Sequence, residues 1–134
     1  MPNLAMALTP QERQANITIA IALVDHYGNE FGLGATKKHE MVKTIERESR
    51  FEFDIINPSD NHNGTDGSYG IAQFGIPTYE EFAVKIGITD TIDPSNIDSN
   101  KENQIRVMAY MFSIGKQTRW TAWRKQFGDL RPGI

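Results

Sequence analysis

The chain contains no cysteine, which excludes disulfides and thiolate metal sites and leaves the redox compartment open. It also lacks any apolar run approaching the ~20 residues that a membrane-spanning helix needs. The longest candidate, Ile17 to Val24, is interrupted by Thr18 and followed at once by Asp25 and His26. No basic segment precedes it, so no signal peptide is read. An excess of positive charge is missing too: 14 Lys and Arg against 17 Asp and Glu leave a net charge of -3. Phosphate binding needs a dense basic surface, so nucleic acid is not expected as a partner. The three histidines are scattered and make no zinc signature. There is also no G-x-S-x-G elbow and no glycine loop ahead of a helix to cradle a phosphate.

What is present is a chain of 134 residues, which by length is one domain with a single core. Residues 1–8 are expected to be a loosely ordered lead-in. Charge is distributed unevenly: Glu52 to Glu102 holds ten acidic and two basic residues, whereas Lys116 to Arg131 holds five basic and one acidic. A solvated face on each lobe accounts for this, and the basic segment would also suit approach to an anionic polymer such as a cell wall.

Thr9-Pro10-Gln11-Glu12 reads as a helix start with a capping box. Ile17, Ala20, Ile21, Val24 and Tyr27 continue at helical spacing to an end near Gly28, and Thr36 is expected to cap a second helix. Phe51, Phe53 and Ile55 alternate with Glu52 and Asp54 in a short strand-like run stopped by Asn57-Pro58. The stretch from Ser59 to Gly70 is almost wholly polar, with glycines suited to turns, and a long polar loop in a small domain is usually functional or mobile. Ile71-Ala72-Gln73-Phe74 returns the chain to the core. Thr78 is expected to cap a third helix with Phe82, Val84 and Ile86 buried, ending at Gly87. Lys101 to Ile114, apolar on most sides, is expected to be the core helix. A last helix from Thr118 to Phe127 would turn Trp120, Trp123 and Phe127 inward. About five helices around a short irregular β region make an α+β arrangement dominated by helix.

Met41, Ile45 and Glu48 fall at i, i+4 and i+7, so Glu48 lies on the apolar face at the end of the second helix. Loss of hydration there would raise its pKa toward the range of a proton donor near neutral pH. The loop donors Asp60, Asn61, Asn63 and Asp66 invite calcium, but the EF-hand spacing fails: His62 and Gly64 stand at the third and fifth positions and Ile71 at the twelfth. No metal or other cofactor is expected. Glycoside hydrolysis needs an acid to protonate the leaving oxygen together with polar groups that hold sugars. Glu48, Ser68, Tyr69 and Gln73 supply both.

Glu48-Ser49-Arg50-Phe51, with Gly70-Ile71-Ala72-Gln73-Phe74 further on, resembles the signature of the lysozyme-like lytic transglycosylases. The likeness extends loosely from Thr44 to Trp123. It implies a lysozyme-like fold and cleavage of peptidoglycan between N-acetylmuramic acid and N-acetylglucosamine, with Glu48 as the one essential acid and base. It also implies that Gln73 and the backbone around Gly70 line the saccharide groove and that Ser49 supports the glutamate. The chain departs from the family at the end of the core helix, where Phe112-Ser113-Ile114-Gly115 stands in place of Tyr-Asn-Ala-Gly. Tyr110 takes over the tyrosine's place only if the register shifts. Asp54, Asp60 or Asp66 could instead hold a water for direct hydrolysis, as in the goose-type lysozymes that share the fold. A glycan-binding module without turnover is the remaining alternative.

The expected partner is the glycan strand of peptidoglycan, met by a monomer in the periplasm or cell wall. With no signal peptide read, phage carriage, holin release or a secretion apparatus would supply the route.

Overall fold

Five helices and one two-stranded hairpin make up the described residues, 8–58 and 67–128, of the computed structural model. The expected lead-in at residues 1–7 and most of the polar loop, residues 59–66, lie outside them. Helix α1 spans Pro10–Glu30 and starts where its signal lies: Thr9 Oγ1 accepts from Glu12 N at 3.0 Å and Glu12 Oε1 accepts from Thr9 N at 2.8 Å. These two bonds satisfy N–H groups that a helix start leaves unpaired. The helix continues past Gly28, which is buried against the alkyl chain of Lys38 from the next helix. Lys38 Nζ then reaches Asp25 Oδ1 at 2.8 Å, locking the two helices side by side. Ala20 and Val24 are buried, but Ile21 turns outward and is 48% exposed.

Helix α2 spans Ala35–Ser49 with Gly34, in extended conformation, at its N-cap. Thr36 lies inside the helix and caps nothing. The stripe Met41, Thr44, Ile45 and Ser49 is buried. Phe51 to Ile55 is not a strand. Phe51 and Phe53 are both buried around a turn that leaves Asp54 exposed, so their alternation records burial without a hydrogen-bonded ladder. Strand β1, Ile56–Asn57, begins only afterwards and pairs antiparallel with β2, Ser68–Tyr69, in the register Ile56 to Tyr69 and Asn57 to Ser68.

Helix α3, Ile76–Ala83, opens on Gly75 with Pro77 in its first turn. Proline is pre-set for that position and has no N–H to leave unpaired, so the helix starts before Thr78, the expected cap. Beyond Ala83 the chain tightens into a 3₁₀ turn, Val84–Ile86, ending at Gly87. Three residues per turn rotate Val84 to the surface, where it is 65% exposed instead of buried.

Helix α4, Lys101–Ser113, comes after a 3₁₀ turn at Ile97–Asn100 and packs against α1, α2 and α3. Its Ile105, Val107, Met108, Met111 and Phe112 are buried, and full burial of such a side chain stabilises by about 1.5–3 kcal/mol. Arg106 Nε and Nη2 grip the Glu30 carboxylate at 2.7–3.1 Å, fastening α4 to the end of α1. The expected last helix is broken into a 3₁₀ turn at Lys116–Arg119, an extended Trp120, a short α5 at Thr121–Trp123 and a π-helical turn at Arg124–Gly128. Trp120 is pulled out of helical register by its indole, which donates to Ala72 O at 2.8 Å in the core. Among the described residues no helix is long and apolar enough to cross a membrane. The observed class is α+β with helix predominant.

Candidate active site

Glu48 stands in the final turn of α2 and is half-buried. Immediately after this turn the chain reverses abruptly, because Arg50 and Phe51 both adopt left-handed conformations, with φ of 52° and 64°. Neither is glycine, so each carries a backbone cost. Two side chains of α1 hold the reversal. Arg13 Nη1 donates to Arg50 O, and Asn16 Nδ2 donates to Phe51 O at 2.8 Å. Arg13 also faces Glu52 across 3.7 Å. The carboxylate's helix end is thus set by α1 as well as by its own helix.

From the reversal the chain runs to Ile55, whose carbonyl meets the other half of the site. Gly70 N donates to Ile55 O at 2.8 Å, and Gln73 Nε2 donates to the same oxygen at 3.3 Å. Gln73 is itself left-handed, at φ 53°, and bends its amide back so that Nε2 also donates to Gly70 O at 3.0 Å. Its backbone N–H donates to the same carbonyl, while Tyr69 and Phe74 exchange both of their backbone bonds. The tight turn 69–74 therefore closes on Gly70 from both sides. Beneath it lies an aromatic cluster: Phe74 meets Tyr79 and Trp120 edge-on, each with centroids 5.5 Å apart, and Trp120 leans on Phe112 at 5.8 Å. Such pairs add about 0.5–1.5 kcal/mol beyond their buried area.

Hydrogen bonds bring Tyr69, Gly70 and Gln73 together, with Ser68 next in the same strand. All four are buried. Ser49 is also buried, and its hydroxyl donates to Ile45 O at 3.1 Å within its own helix. Tyr110 is half-buried on α4, and its ring partner is Phe31 at the end of α1, with centroids 5.6 Å apart. That contact sets Tyr110 against the end of α1. Phe112 is core. Asp54 is exposed in the turn before β1, while Asp60, Asp66 and the donors weighed for calcium lie outside the described residues.

Two contributors had a signal in the sequence that periodicity alone did not flag. Asn16 precedes Ala20, Val24 and Gly28 at steps of four, a polar residue heading a buried stripe. Gln104 heads the corresponding stripe with Met108 and Phe112 in α4, whose other buried residues are apolar. Gln104 Nε2 donates to Asn100 Oδ1 and to Ile97 O, both at 2.9 Å. Asn100 Nδ2 in turn donates to Tyr79 OH at 3.2 Å, and Tyr79 OH donates to Asp90 Oδ1 at 2.7 Å. Burial, and next the bond to Asp90, push the Tyr79 phenol well above its ordinary range, so it stays a donor. A cleft of about 450 Å³ opens beside Asp90, Asn103 and Tyr27, at the far end of this chain of bonds.

Comparison of the chain with protein-family models, with curated proteins and with solved structures finds no match. The chemistry of the site is therefore argued from its side chains.

Proposed function

We propose that the protein is a peptidoglycan lytic transglycosylase of lysozyme-like fold. The observation that carries this reading is the placement of Glu48: half-buried, one residue from a doubly left-handed helix end, with Ile55 O shortly after it accepting from Gly70 N and Gln73 Nε2. A half-buried carboxyl is the group that acid catalysis of glycoside cleavage requires.

In the proposed reaction Glu48, as the acid, gives its proton to the oxygen linking N-acetylmuramic acid to N-acetylglucosamine. The C1–O bond breaks, and the N-acetyl carbonyl oxygen of the muramoyl unit supports the cation at C1. Glu48, now a carboxylate, takes the proton of the muramoyl 6-hydroxyl as its oxygen attacks C1. The product is a 1,6-anhydro end, and the glutamate returns to its starting state. No second carboxylate is needed. The turn 69–74 would border the glycan, with Gln73 holding the Gly70 carbonyl in place.

The test is a mass spectrum of soluble products after purified peptidoglycan is incubated with wild type and with Glu48→Gln. Muropeptides one water lighter than the reducing form are expected from wild type. The variant should be slower by about 10²–10⁴-fold, the usual contribution of a general acid and base. Reducing ends would instead identify a hydrolase using a loop aspartate, and an active Glu48→Gln would remove the mechanism. Binding without any product would identify a glycan-binding module.

A further inference from the structure

Gln104 is fully buried, in a helix whose other inward residues are apolar. Its two bonds from Nε2 settle which way the amide faces, and they leave Oε1 as a buried oxygen with no hydrogen-bond partner. An unpaired buried acceptor is costly, and an apolar side chain of the same shape avoids the cost. The oxygen is aimed at Gly70: a Cβ at that position would overlap Oε1, would come 3.1 Å from Gln104 Cδ and would meet Ile97 Cγ2 at 3.2 Å. Gly70 also has a φ of 78°, so both its backbone and its surroundings demand glycine.

We propose that Gln104 is a positioning residue for the glycan-facing turn, a buried wedge that seats Gly70 and thereby sets Gln73. Its roots run away from the turn: Asn100, then Tyr79, then Asp90 hold the amide through successive hydrogen bonds. At the other end Oε1 closes the space above Gly70 Cα. The bonds from Gly70 N to Ile55 O and from Gln73 to Gly70 O are then made in one arrangement only. The glycan part of this inference rests on the transglycosylase reading, and the positioning part does not.

Hydrogen exchange of single amides separates the two. In Gln104→Ala, which removes the wedge, and in Gln104→Asn, which draws the oxygen back by one methylene, the amides of Gly70 and Gln73 should lose protection at least about tenfold relative to those of α1. A merely structural role would lower both sets together. Equal loss, or none, overturns the proposal whether or not the wild type cleaves glycan. If the wild type cleaves, the same variants should raise KM about tenfold or more with kcat little changed. Selective loss of protection with a wild type inactive on peptidoglycan keeps the wedge and removes the transglycosylase. A double-mutant cycle supplies a further check: Gly70→Ala should lower the unfolding temperature less in a Gln104→Ala background than in wild type. An equal drop in both backgrounds would sink the wedge.

Discussion

Two helix ends of this molecule solve the same problem in opposite ways. Helix α4 ends at Ser113 and turns through Gly115, left-handed at φ 79° with nothing near its Cα that a side chain would strike. Glycines Gly32 and Gly87 likewise come after α1 and α3 in left-handed conformations. Helix α2 instead turns on Arg50 and Phe51, and a left-handed conformation costs a non-glycine residue about 1–2 kcal/mol. The Arg13 and Asn16 side chains of another helix are anchored on that costly end, whereas the end of α4 is held locally, by backbone bonds and by Ser113 Oγ donating to Tyr110 O. Strain maintained by surrounding structure tends to concentrate at functional sites. The difference teaches that the chain after Ser49 is held in a costly direction by a second helix, and not merely stopped.

Breaking the anchor should have the largest effect. Asn16→Ala leaves Phe51 O without its part-buried partner and should cost about 1–3 kcal/mol in denaturant unfolding. If Glu48 is the acid of the proposed reaction, peptidoglycan cleavage should fall by more than about tenfold, since small displacements of an acid are expensive. A variant that is destabilised but fully active would detach the helix end from the chemistry. Gly115→Ala, at the ordinary end, should cost about 1–2 kcal/mol through backbone strain alone and leave turnover untouched. A loss of activity there would erase the contrast between the two ends. The smallest effect is expected of Arg50→Gly, where relief of the left-handed cost is offset by the extra freedom of glycine in the unfolded chain. The net gain should stay under about 1 kcal/mol, read as an equal or slightly higher unfolding temperature, with turnover equal or lower. A clear destabilisation would mean that the Arg50 side chain carries more than its conformation suggests.

Local signals were legible wherever one residue type alone could meet a local need. The Thr9 capping box and the return of Ile71 to Phe74 into the core both arise from such needs. The misread positions are those where a distant partner decides. Thr36 and Thr78 are good caps in isolation, yet Gly34 and Gly75 open their helices earlier. Phe51 and Phe53 share a burial pattern with strands, but the clamp from α1 bends them into a turn. Trp120 has helical spacing to Trp123, and a carbonyl from a remote turn overrides it. The spacing puts Glu48 on the apolar face, but the buried stripe is Met41, Thr44, Ile45 and Ser49, and Glu48 stands half-buried beside it. Asn16 and Gln104 were not singled out, because a polar residue on an apolar stripe reveals its use only once the opposing backbone is in place.

Trp120 has one more consequence. Its indole is almost wholly enclosed, bonded to the carbonyl just before Gln73 and packed among Phe74 and Phe112, whereas Trp123 is only half-enclosed. The protein therefore carries its own fluorophore at the floor of the turn. A shift of its ultraviolet emission toward longer wavelengths would announce loosening of the floor without any label.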